Sequence, residues 1–166
     1  MATITLGGNP IQTSGEVPKS NSKLPDFNLV KTDLSTVSLA DFKGSKLVLN
    51  IFPSIETGIC ATSTRTFNTK ASVLENTKIL CISHDLPFAF ARFCAAEGLE
   101  NVICLSDFKT GNFGKELGLE IIDGNFAGLH SRVVIVTDEN GIIKYTEQVS
   151  EIGTEPNYEA ALTALS

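Results

Sequence analysis

Leu47-Val48-Leu49-Asn50-Ile51-Phe52 is followed by Pro53, then by Cys60, then by residues 61–75, which contain neither glycine nor proline. A nearly continuous apolar run of that length reads as a buried strand. Phe67, Ala71 and Leu74 stand at helical spacing in 61–75, and Ile79 to Ser83 returns to a short β-like run. The segment is therefore a strand, helix, strand unit, with Leu47–Phe52 as a central strand.

Upstream, Phe27 to Lys31 predicts a short strand. Ile4–Leu6 and Ile11–Thr13 predict a hairpin across Gly7-Gly8-Asn9-Pro10, because glycine supplies the positive φ of tight turns. Residues 14–25 are rich in Ser, Gly, Pro and Lys and read as a loop. Downstream, Leu86 to Glu97 predicts a helix with Leu86, Phe90, Phe93 and Cys94 on one face and Gly98 as its stop. Val102–Leu105 predicts a strand and Asn112–Leu117 a short helix. Arg132–Thr137 and Ile142–Tyr145 flank Asp138-Glu139-Asn140-Gly141, whose Asn-Gly marks an antiparallel hairpin. Glu155–Leu165 predicts a closing helix with Pro156 in its first turn. The expectation is a single α/β domain over 1–166: a central mixed sheet flanked by helices on both faces, with an N-terminal β-hairpin.

The chain has 166 residues, and its 42% hydrophobic content is enough for one core. Its 13 basic and 19 acidic residues leave a net charge of −6, with no basic run to follow a phosphate backbone, so nucleic acid is not an expected partner. No segment has the length of a membrane span or the form of a signal peptide, so the expected location is the cytoplasm, in soluble form. The cysteines are too sparse for a secreted disulfide scaffold. His84 and His130 stand far apart, and no Cys-x-x-Cys or His-x-x-x-His spacing suggests a metal site. Neither metal nor cofactor is expected.

Cys81 and Cys104 lie inside apolar strand-like runs, where a thiol behaves as a small hydrophobe. Cys60 is different, since it follows a strand and a proline-containing loop and precedes a helix. Unpaired N–H groups and the positive end of the helix dipole favour the thiolate form of a thiol so placed. Glu56 opposes that ionisation unless it points away. An ordinary loop cysteine is the alternative reading of Cys60, and a core position the alternative for Cys94.

Pro53-Ser54-Ile55-Glu56-Thr57-Gly58-Ile59-Cys60 resembles the peroxiredoxin signature of Pro, three residues, Thr or Ser, two residues, Cys. Over nearly its whole length the chain resembles the bacterial thiol peroxidases, the atypical two-cysteine subfamily. The opening hairpin, Pro25-Asp26-Phe27, Val37 to Phe42, Arg92 to Gly98 and Arg132 carry that resemblance; Gly58, where the subfamily has proline, departs from it. The resemblance implies a thioredoxin-like fold and reduction of hydrogen peroxide and of alkyl or lipid hydroperoxides. It makes Cys60 the peroxidatic cysteine and Cys94 the resolving one. Thr57 and the Cys60 N–H would bind peroxide, Arg132 would favour the thiolate, and Pro53 would shield it. It further implies a Cys60–Cys94 intrachain disulfide, thioredoxin as reductant and a homodimer. Under it Cys81 and Cys104 are spectators. Phe88, Phe90 and Ile122 are candidates for an apolar entrance. The rival functions are a peroxide-sensing switch and a general thiol–disulfide oxidoreductase.

Overall fold

The computed structural model describes residues 1–166. Its main sheet has seven strands: β3 (Asn28–Lys31), β4 (Thr36–Ser38), β5 (Lys46–Ile51), β6 (Thr77–Ser83), β7 (Ile103–Ser106), β8 (Val133–Thr137) and β9 (Ile143–Gln148). Their order is β4-β3-β7-β6-β5-β8-β9. β5, β6 and β7 run parallel, and the remaining pairings are antiparallel. A separate hairpin, β1 (Thr3–Leu6) and β2 (Asn9–Gln12), turns through Gly7 and Gly8 at φ 59° and 80°. Only a residue without Cβ takes two such angles cheaply, which is why glycines occupy both. The Glu151 carboxylate accepts from both glycine N–H groups and from the Thr5 hydroxyl, docking the hairpin on the domain.

The helices are α1 (Gly58–Ala71), α2 (Pro87–Glu97), α3 (Asn112–Glu116) and α4 (Tyr158–Thr163). Phe67 of α1, Phe90 and Phe93 of α2 and Ala161 of α4 share one core cluster with Val48, Phe52 and Cys60; Phe27, Phe113 and Leu117 build the cluster containing Leu47, Leu49 and Ile51. Alternate residues of β5 thus feed two cores, as a strand covered on both faces requires. Phe52 and Phe90 are fully buried and meet edge to face, 6.3 Å between centroids. Each such side chain contributes about 1.5–3 kcal/mol through burial.

The sequence expectation misses β4 and the 3-10 turn Leu39–Phe42 that follows it. Both are short and carry little burial, so periodicity is weak there. The last helix is shorter than expected, because Asn157 caps it by accepting from the Ala160 N–H and leaves Pro156 outside. α1 begins at Gly58, three residues before the expected start, and ends at Ala71.

Candidate active site

Residues 52–60 leave the end of β5, and Arg132 stands immediately before β8. Because Ile51 pairs with Val133 across these antiparallel neighbours, the two segments meet at one corner of the sheet. There Cys60, in the first turn of α1, is fully buried, and Arg132 is 1% exposed. Arg132 Nη2 donates to Cys60 Sγ at 3.5 Å, while Nε donates to the Ile152 carbonyl at 2.9 Å. Nη1 is buried without a partner. A guanidinium held by its own fork, with a desolvated positive charge against sulfur, stabilises negative charge on that sulfur.

The loop is tied down from beneath. Asp85 accepts from the Ser54 hydroxyl and the Ile55 N–H at 2.8 and 2.7 Å. Pro53 is buried in this loop. Thr57 is the N-cap of α1, but its hydroxyl donates to the Ser54 carbonyl at 3.0 Å and does not cap the helix. First-turn N–H groups of a helix have no intrahelical acceptor, and the Cys60 N–H is one of these. Glu56 points away from the thiol and pairs with Arg92 at the surface. From below, the Asn50 side chain donates to Ser63 Oγ at 3.2 Å, and Ser63 donates to the Cys60 carbonyl at 2.9 Å.

Arg132 and Cys60 therefore meet, with Pro53 and Thr57 on the loop that leads into α1, whereas the Cys94 sulfur lies against another thiol. Cys94 is half-buried in α2, and its sulfur lies 3.2 Å from Cys104 Sγ. Cys104 in turn is the direct register partner of Cys81 on β6. Phe90 is wholly core and lines no entrance, while Phe88 and Ile122 are exposed on the surface. Asp85 and Ser63 escape a sequence reading; the signal for Asn50 was a polar residue inside an otherwise apolar strand.

A second polar cluster joins residues that local spacing kept apart. His84, Asp107 and His130 bring donor atoms within 4.8 Å of one another. His130 donates from Nε2 to the Asp107 carboxylate at 3.1 Å, and the same carboxylate accepts from the Gly114 N–H at 3.2 Å. His130 packs against Phe113, in the other core cluster from Cys60. Burial pushes the His130 imidazole below its ordinary value, and His84 beside it adds to the effect; the Asp107 hydrogen bond partly opposes it. The unfolded chain takes up a proton near pH 6.5 that the folded chain refuses until a lower pH. Stability is full above about pH 6.5 and declines as pH falls below it. Urea midpoints should drop between about pH 7.5 and 5 for the wild type and drop less for His130→Gln; equal drops would show that His130 is not the group responsible.

A thiol in the first turn of a helix, against a buried arginine in a mixed sheet flanked by helices, defines a thioredoxin-like redox protein. The Redoxin family model matches residues 19–162. The chain is 55% identical to the thiol peroxidase of Corynebacterium glutamicum over 166 residues, covering all of both chains. Among solved structures, a peroxiredoxin-like protein from Aquifex aeolicus superposes with TM-score 0.92 at 32% identity, covering 99% of this chain and 96% of the other. The thiol peroxidase from Chromobacterium violaceum superposes with TM-score 0.87 at 22% identity, over 97% and 93% of the two chains, a likeness of fold. The chain belongs to the Redoxin family and, within it, to the thiol peroxidases. No helix is long and apolar enough to cross a membrane.

Proposed function

We propose that the chain reduces hydroperoxides with Cys60 as the attacking thiolate. The observation that carries this reading is the 3.5 Å contact between Arg132 Nη2 and Cys60 Sγ, sealed from bulk water. The thiolate attacks one peroxide oxygen, the O–O bond breaks, and water or an alcohol leaves, with sulfenic acid formed on Cys60. Charge developing on the peroxide oxygens is met by the Cys60 N–H and by Thr57, whose hydroxyl exchanges the Ser54 carbonyl for substrate. Pro53 keeps water from the sulfur.

Cys94 then condenses with the sulfenic acid, releasing water and forming the Cys60–Cys94 disulfide. Because Cys60 is buried and Cys94 faces Cys104, the first turn of α1 and α2 rearrange for this step. The exposed pairs Glu56–Arg92 and Arg65–Glu97 link those two segments and separate in the process. A dithiol reductant of thioredoxin type returns the disulfide to thiols. A second copy of the chain, as a homodimer in the cytoplasm, belongs to the same proposal.

The test is consumption of cumene hydroperoxide and hydrogen peroxide coupled to thioredoxin. Cys94→Ser should still consume one equivalent of peroxide but lose thioredoxin-coupled turnover. Full thioredoxin-coupled turnover by Cys94→Ser would refute the resolving role.

A further inference from the structure

Three cysteines outside the peroxide pocket form a row that the mechanism above does not use. Asn50, Cys81 and Cys104 are register partners across β5, β6 and β7, so their side chains share one face of the sheet. Asn50 Nδ2 lies 3.8 Å from Cys81 Sγ, Cys81 and Cys104 are neighbours across β6 and β7, and Cys104 Sγ lies 3.2 Å from Cys94 Sγ. The folded resting position of the Cys94 sulfur is thus against Cys104. A disulfide there needs the two sulfurs to close to about 2.05 Å. The Cys60–Cys94 bond, by contrast, needs two helical segments to shift.

Resting on the peroxidase reading, we propose that Cys104 is a third redox-active thiol, which takes Cys94 from Cys60 by thiol–disulfide exchange. The Cys104 sulfur attacks Cys94 Sγ, a Cys94–Cys104 bond forms, and the Cys60–Cys94 bond breaks. Cys60 leaves as a thiolate, and the Cys104 proton passes to solvent. One disulfide is consumed and one formed, so no further oxidant is required.

Two features favour the forward direction. Cys60 departs next to the Arg132 guanidinium, which stabilises the leaving sulfur. Return of Cys94 to its resting position restores the native packing of α1 and α2. Cys104 itself is pushed far above the ordinary thiol range by the neighbouring Cys81 and Cys94 thiols and by burial, so loss of the Cys104 proton, not departure of Cys60, limits the rate of this exchange. Once Cys94 is in a disulfide, its share of that restraint on Cys104 disappears. The consequence is a chain that stores one oxidation in Cys94–Cys104 and frees Cys60 for a second peroxide. Cys94 remains half-buried and so reachable by an external dithiol.

The experiment exposes the full chain, without reductant, to excess cumene hydroperoxide, followed by alkylation at intervals, non-reducing digestion and mass spectrometry. In the wild type the Cys60–Cys94 cross-linked peptide should appear first and give way to Cys94–Cys104. Peroxide consumption should be at least twofold that of Cys104→Ser, because freed Cys60 is oxidised again. A Cys60–Cys94 bond that forms and never migrates overturns this inference and leaves the peroxidase reading intact. Absence of both cross-links and of peroxide consumption in the wild type overturns the two together. The wild-type peptide map decides the matter even if Cys104→Ser folds poorly.

Discussion

Cys60→Ser should abolish peroxide turnover, with a fall in kcat/KM on the order of 10³-fold or more, as expected when a covalent nucleophile is removed. Serine preserves the volume and the helix position, so the fold should survive. A hydroxyl has far weaker nucleophilicity than a thiolate at neutral pH, and the Arg132 contact cannot make up the difference. Circular dichroism and urea midpoints close to wild type would show that chemistry, not folding, was lost. Turnover at the wild-type rate would remove Cys60 from the centre of the mechanism and leave a peroxide-independent function for this pocket.

Arg132→Lys should lower kcat/KM by about 10²–10³-fold, the usual cost of removing a charged donor aimed at a reacting group. Lysine keeps the charge but not the fork. The guanidinium donates to the Ile152 carbonyl through Nε and to Cys60 Sγ through Nη2 at once, and a single ammonium on a flexible stem does not hold both in one fixed geometry. Arg132→Met should lose more activity than lysine and leave the Ile152 carbonyl unpaired, at a cost of about 1–3 kcal/mol in stability. Single-turnover sulfenic acid formation, read separately from disulfide formation, checks the assignment. If Arg132→Lys slows only the disulfide step, the arginine serves the rearrangement rather than the attack.

How far the sequence carries depends on the range of the interaction being read. Leu47–Phe52 and Arg132–Thr137 are legible as strands because burial on both faces makes nearly every residue apolar. β4 and the 3-10 turn after it are not, since their burial is too slight to impose a pattern. The Pro53-to-Cys60 loop is legible as a site through its resemblance to a family signature. Cys94 shows the opposite case: its place on α2 was readable, but its sulfur contact with Cys104 arises from packing of a helix on a neighbouring strand.

The sequence by itself determined the α/β class, the central strand Leu47–Phe52 and the presence of a helix after the Pro53 loop. All of these follow from local pattern, apolar runs and turn residues, whereas the roles of Pro53, Thr57, Cys94 and Arg132 are legible only through a family resemblance. Only the tertiary structure decided which distant groups meet. The antiparallel register of β5 and β8 sets Arg132 against Cys60, the parallel register of β5, β6 and β7 aligns Asn50, Cys81 and Cys104, and the packing of the loops draws His84, Asp107 and His130 together. The physical reason is that register and packing are set by many long-range contacts acting jointly, and no window along the chain contains them.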